Sequence, residues 1–114
     1  MVELSDAELE RYARHIVMPQ VAGFGQRRLK ETSIAVVGAG GIGSGVIPAL
    51  AGAGVGRLTI IDSDIVELSN LQRQVLFSEE DARNGTPKAV AAAYRLSIVN
   101  LSVRVEPLVL DVDR

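Results

Sequence analysis

The chain contains no cysteine. Disulfides, thiolate metal sites and a cysteine nucleophile are therefore excluded within these residues, and the absence fits either redox environment. There is one histidine, His15, which cannot make a metal site alone and reads as a helix-surface or partly packed side chain. A basic excess is also lacking: 12 Lys and Arg stand against 14 Asp and Glu, for a net charge of -2. Nothing draws the chain generally toward nucleic acid or anionic lipid, so any bound anion must be met by locally placed cations. The opening residues, MVELSDAELE, are acidic and polar, the opposite of a secretory signal. A cytoplasmic location is the expectation.

Charge is missing altogether from one stretch, Ile34 to Gly56, in a chain that is 23% charged. It is long enough to span a membrane. It also holds eight of the eleven glycines, with Ser44 and Pro48, and each interior glycine costs a helix about 0.8 to 1 kcal/mol relative to alanine. Basic and aromatic anchors do not cluster at its two ends. The stretch reads instead as a short buried β-branched strand, Ile34 to Val37, a turn from Gly38 to Gly43, and a helix from Ile42 to Ala53. No membrane partner is expected. Pro48 inside that helix is a local conflict, since it should kink the helix or remove a backbone bond.

What is present suffices for one small domain: 114 residues, 47% of them hydrophobic. Ser5 and Glu8 have capping-box spacing, and Leu9, Tyr12 and Ile16 fall on one face of the helix that follows. Met18-Pro19 ends it. After a flexible Gly23-Phe24-Gly25, a second short helix, QRRLKE, leads into the strand beginning near Ser33. The next strand, RLTIID, runs from Arg57 to Asp62, followed by the polar segment SDIVELSNLQRQ. Asn84-Gly85 marks a turn, Thr86 can cap, and Pro87 suits the first position of a helix in which Val90, Tyr94 and Ile98 recur every four residues up to about Asn100. Ser102 to Leu110 alternates as a strand whose Pro107 is tolerated at a sheet edge.

The order, two helices and then β-α-β-α-β, is that of an α/β parallel sheet with right-handed crossovers, the first half of a Rossmann-like three-layer αβα fold with strand order 3-2-1. Residues 1–32 are read as an N-terminal helical segment and residues 33–114 as a nucleotide-binding half-domain. The first strand should be central, yet no fourth strand covers its other edge. An open edge invites pairing, so the chain is expected to be part of a longer protein or to bury that edge in an oligomer.

Gly38, Gly40 and Gly43 form G-x-G-x-x-G between a strand and a helix, where bare backbone N–H groups and the helix N-terminus can meet a phosphate. Asp62, 19 residues after Gly43, ends the next strand, where a carboxylate can accept from ribose hydroxyls. The plainer reading, glycines serving only helix–strand packing, has neither the acidic residue nor the strand–turn–helix context in its favour. Lys88 stands near a helix N-terminus, where a cation is disfavoured unless an anion lies nearby. Arg73, in the segment after Asp62, is a second cation on the same side of the sheet. Together they suit a triphosphate better than a pyrophosphate already cradled by the glycines, although each alone could be a solvated surface charge.

The runs RYARHI, GFGQRRL, VVGAGGIGS, GAGVGRLTIIDSDIVELSNLQRQ and NGTPKA resemble the N-terminal half of the ThiF/MoeB/HesA family, relatives of ubiquitin-activating enzymes. The likeness covers nearly the whole chain and is strongest toward MoeB-type sulfur-carrier adenylyltransferases. It implies an enzyme that uses ATP and magnesium to adenylate the C-terminal glycine of a ubiquitin-like sulfur-carrier protein. By motif position it implies that Gly40 and Gly41 approach the nucleotide, that Asp62 holds the ribose, and that Asn70, Arg73 and Lys88 contact phosphates. Arg14 would reach the ATP of the partner subunit in a homodimer. Asp64 is a weaker candidate, equally readable as a helix or loop cap. The family's magnesium-binding aspartate, its paired C-x-x-C zinc motifs and any catalytic cysteine would lie after Arg114, so the 114 residues alone are expected to have little or no adenylation activity. Two other readings remain: the nucleotide-binding domain of an NAD(P)-dependent oxidoreductase, and a non-catalytic activating-enzyme-like subunit.

Overall fold

A computed structural model of the chain describes residues 3–72, 74 and 76–110. Six α-helices and three strands follow in the order α1 (Asp6–Arg11), α2 (Ala13–Ile16), α3 (Ala22–Glu31), β1 (Ser33–Val37), α4 (Gly41–Ala53), β2 (Arg57–Ile61), α5 (Glu79–Asn84), α6 (Lys88–Val99) and β3 (Arg104–Leu108), with a 3-10 turn over Leu68–Asn70 between β2 and α5. The strands are parallel in the order β1-β2-β3, with Ser33 opposite Arg57 and Arg57 opposite Arg104. This is the expected α/β half-fold. Pro107 lies in the edge strand β3, opposite Ile60 of β2, where its missing donor costs little. Among the described residues β1 pairs with β2 alone.

The core fills one face of the sheet. Leu58 and Ile60 of β2 meet Ile47 and Ala51 of α4 and Ala89, Ala92 and Leu96 of α6, all of them fully buried. The opposite face is open, with Val37 63% and Leu108 42% exposed. β1 is accordingly not the buried strand its composition suggests: its residues alternate between exposed and half-buried, because only one face has a covering layer. α6 departs from expectation in the same way. Its four-residue row Val90, Tyr94 and Ile98 faces outward, while the alanine-rich row is buried. Small side chains let α6 approach the sheet closely, and the larger residues are left outside. α4 continues through Pro48.

The N-terminal helices also differ from the sequence reading. Ser5 and Glu8 do form the capping box, by Glu8 N–H donating to Ser5 Oγ and Ser5 N–H to Glu8 Oε1. The expected single helix, however, breaks at Tyr12, and Leu9 is 45% exposed. Tertiary contacts account for the break: the Tyr12 hydroxyl accepts from Asn100 Nδ2 at 2.9 Å, and its ring stacks on His15. The Gly23-Phe24-Gly25 stretch is helical, not flexible, and belongs to α3. That helix is anchored to the sheet by Gln26, whose Nε2 donates to the Ala53 carbonyl at the end of α4, and by Gly56 N–H donating to the Leu29 carbonyl. α1, α2 and α3 thereby pack at the amino end of the sheet.

Candidate functional site

The carboxyl ends of β1 and β2 carry the glycine turn. Gly38 has φ +96, a region L side chains rarely adopt, and its N–H donates to the Ile61 carbonyl at 2.8 Å. Gly43 is required for a different reason: a Cβ there would stand 2.2 Å from the Gly38 carbonyl oxygen. Close packing thus by itself requires a glycine at 43, while Gly40 and Gly41 define the helix start. Gly40 is the N-cap of α4 and Gly41 its first residue; no side chain caps this end. The first-turn N–H groups have no intrahelical acceptor, and together with the helix dipole they favour an anion at the turn.

Asp62 follows β2 directly. One carboxylate oxygen accepts from Ala39 N–H and the other from Asp64 N–H, each at 2.7 Å. It therefore ties the glycine turn to the end of β2, and each oxygen keeps a second acceptor position for a ribose hydroxyl. Beside it a groove of about 210 Å³ is lined by Val37, Gly38, Ile61, Asp62, Ser63, Asp64 and Leu110.

A second cavity of about 270 Å³ adjoins it, lined by Asp64, Ile65, Glu67, Asn70 and Lys88. Two segments distant in sequence are brought together here by an isolated bridge between Ile65 and Pro87, with Val66 N–H donating to the Thr86 carbonyl and Lys88 N–H to the Asp64 carbonyl. The cap of α6 is Pro87 rather than Thr86, and Lys88 is the first helical residue. Lys88 is only 7% exposed and has no ion pair among the described residues. It is not a solvated surface charge. Asn70 is half-buried; its Oδ1 accepts from Glu67 N–H at 3.1 Å, and its amide nitrogen has no partner among the described residues. Asp64 is exposed and links both cavities, its main chain serving as a local anchor. Gly38, Gly40, Gly41, Gly43, Asp62, Asp64, Asn70 and Lys88 are thus gathered on one side of the sheet.

Arg73 lies outside the described residues. Arg14 is exposed on α2, at the other end of the sheet. The 13 residues of α4 separate the two ends, about 20 Å at 1.5 Å per residue. Gln74, inside the Asn-Leu-Gln-Arg-Gln run but given no role from sequence, is 3% exposed and adjoins Gly40. Its spacing of four from Asn70, whose carbonyl accepts its N–H, was the signal available. Among the described residues no group of three or more His, Asp or Glu is placed to hold a metal ion, and no helix is long and apolar enough to cross a membrane.

Comparison with known proteins agrees with this geometry. The chain is 47% identical over 113 residues to the SAMP-activating enzyme E1 of Haloferax volcanii, covering 99% of this chain and 41% of that protein. It is 52% identical over 99 residues to the sulfur carrier protein adenylyltransferase of Thermus thermophilus, covering 87% and 36%. The crystal structure of Escherichia coli tRNA N6-threonylcarbamoyladenosine dehydratase, TcdA, in complex with ATP superimposes with a TM-score of 0.82 at 31% identity, over 95% of this chain and 43% of that one. The chain therefore spans less than half the length of these relatives. The profile of the ThiF family matches residues 12–114, and with the strand–glycine turn–helix geometry in place the chain belongs to the ThiF family.

Proposed function

We propose that this chain is the ATP-binding part of an adenylyltransferase that activates the C-terminal carboxylate of a ubiquitin-like sulfur-carrier protein. The observation that carries the reading is Lys88: a cation buried at a helix N-terminus with no ion pair among the described residues, lining a cavity shared with Asn70, Asp64 and Glu67. Burying a charge unpaired is strongly unfavourable, and the start of α6 adds to the cost. A polyphosphate removes both penalties.

The residues divide the work. The first turn of α4, opened by Gly40 and Gly41, receives the α-phosphate; Asp62 accepts from the ribose hydroxyls; Asn70 and Lys88 bind the β- and γ-phosphates, with Arg73 expected to join them. A carboxylate oxygen of the carrier attacks the α-phosphorus as the bond to the β-phosphate oxygen breaks, giving an acyl-adenylate and pyrophosphate. Cations fixed where the leaving group gains charge supply the electrostatic part of the acceleration. Arg14 acts on the phosphates of a second copy in a homodimer, because the length of α4 keeps it from its own. Magnesium, which such a reaction is expected to use, finds no ready ligand set among the described residues.

The test is a calorimetric titration with ATP and, separately, NADH. ATP is expected to bind preferentially, and Lys88→Ala or Arg73→Ala to weaken it at least about tenfold. Tight NADH binding insensitive to both substitutions would overturn the reading in favour of an oxidoreductase domain.

A further inference from the structure

Gln74 is buried, 3% exposed, and its Oε1 has no hydrogen-bond partner among the described residues. Its Nε2 lies 4.0 Å from the point a Cβ would occupy on Gly40. The main chain is fixed, with Gln74 N–H donating to the Asn70 carbonyl at 2.9 Å, but the carboxamide makes no hydrogen bond to any described residue. The orientation of a side-chain amide is assigned from its partners. Here either orientation leaves one polar atom buried and unpaired and directs the other at the glycine turn. A methionine of similar shape would fill the space without that penalty. The structure alone gives no reason for an amide at this position.

The surroundings supply one. Gly40 caps a 13-residue helix that has no side-chain cap, so the turn Gln74 faces is the one where unpaired N–H groups and the helix dipole favour an anion. Gln74 also follows Asn70, which lines the Lys88 cavity, by one turn of chain.

We propose that Gln74 is a nucleotide-binding residue whose carboxamide donates a hydrogen bond to an α-phosphate oxygen of a nucleoside triphosphate seated on the Gly40–Gly41 turn. This rests on the nucleotide reading above and adds to it a further side chain at the glycine turn. With its amide nitrogen toward the turn, the carboxamide meets an acceptor atom of the ligand. A carboxylate of the same shape would repel the phosphate instead.

Thermal unfolding and calorimetry of the full chain, with and without ATP, separate the outcomes. Without nucleotide, Gln74→Met is expected to unfold at or above the wild-type temperature, since a half-satisfied buried amide has been removed. Its ATP affinity is expected to fall about tenfold, with a smaller ATP-induced rise in unfolding temperature. Gln74→Glu is expected to lose more affinity than Gln74→Met, and it keeps the test open if the methionine does not pack. A Gln74→Met or Gln74→Glu protein that binds ATP within about twofold of wild type overturns the assignment. So does a variant that is less stable when free yet gains from ATP as much as wild type, since that marks a packing role. A wild-type chain that gains nothing from ATP removes the nucleotide reading itself, and this assignment with it.

Discussion

At the carboxyl end of α4, Gln26 Nε2 donates to the Ala53 carbonyl at 2.8 Å and Asn100 Nδ2 to the Ala51 carbonyl at 2.9 Å, with His15 Nδ1 donating to Gln26 Oε1 in turn. At its amino end the first turn has no side-chain cap, and among the described residues Lys88 forms no ion pair and the Gln74 carboxamide has no partner. One helix therefore joins an end whose carbonyls are met by buried amides to an end whose first turn and buried side chains are left unmet, although Arg27 Nε of α3, on the first side, is also buried without a partner among the described residues. The first arrangement holds the N-terminal helices to the sheet, because a buried group stripped of water is stable only when paired. The second is affordable only if a ligand completes it. Function here is read from what the fold leaves unpaired.

The largest loss is expected at the carboxyl end of α4. Asn100 is fully buried, and its amide also donates to the Tyr12 hydroxyl. Asn100→Ala removes the donor to the Tyr12 hydroxyl, leaves the Ala51 carbonyl with Gly54 N–H alone and deprives Ser102 N–H of its acceptor, and is expected to cost about 3 kcal/mol, measured as a lower urea midpoint at unchanged slope. An unchanged midpoint would show that the network does not hold the helices. Gly43→Ala comes next: its Cβ meets the Gly38 carbonyl, and overpacking against backbone is expected to cost about 2 kcal/mol and to abolish the ATP-induced rise in unfolding temperature. Retention of that rise would separate the glycine turn from nucleotide binding.

Lys88→Met sharpens the contrast from the other side. Without ligand its stability is expected within about 0.5 kcal/mol of wild type, or above it, because an unpaired buried cation has gone. ATP affinity should nonetheless collapse in the same titration. A marked loss of stability in the free protein would show instead that Lys88 serves the fold. The smallest effect concerns Glu8, whose carboxyl is held below the ordinary 4.5. Burial pushes it up, but hydrogen bonds from Lys30 and from Ser5, with the Lys30 charge, outweigh that. A carboxyl lower in the folded state stabilises fully above about pH 4.5 and loses its contribution as pH falls through the folded value. Wild type should exceed Glu8→Gln in stability by less than about 1 kcal/mol near neutrality, and the gap should close in acid. A gap independent of pH would rule the carboxylate out as its cause.

Much of this was legible in residue order alone. The β-branched run before Gly38, the glycine spacing, Asp62 at the end of the next strand and the Ser5–Glu8 box are local signals, and each is realised in the fold. Short-range backbone geometry decides all of them. Less legible were Tyr12, where a helical pattern breaks to deliver its hydroxyl to Asn100, and α5, whose end the sequence showed only as a turn at Asn84-Gly85.

Sequence by itself determined the strand–turn–helix unit, the order of the parallel half-fold and the chemical type of the site residues, since these follow from backbone sterics and from periodicity within a few residues. The tertiary structure decided which face of α6 is inside, that Lys88 is buried beside Asn70, and that Gln74 is left unpaired against Gly40. The physical reason is that a pattern records which residues share a face, while burial and pairing depend on what the rest of the chain brings against that face.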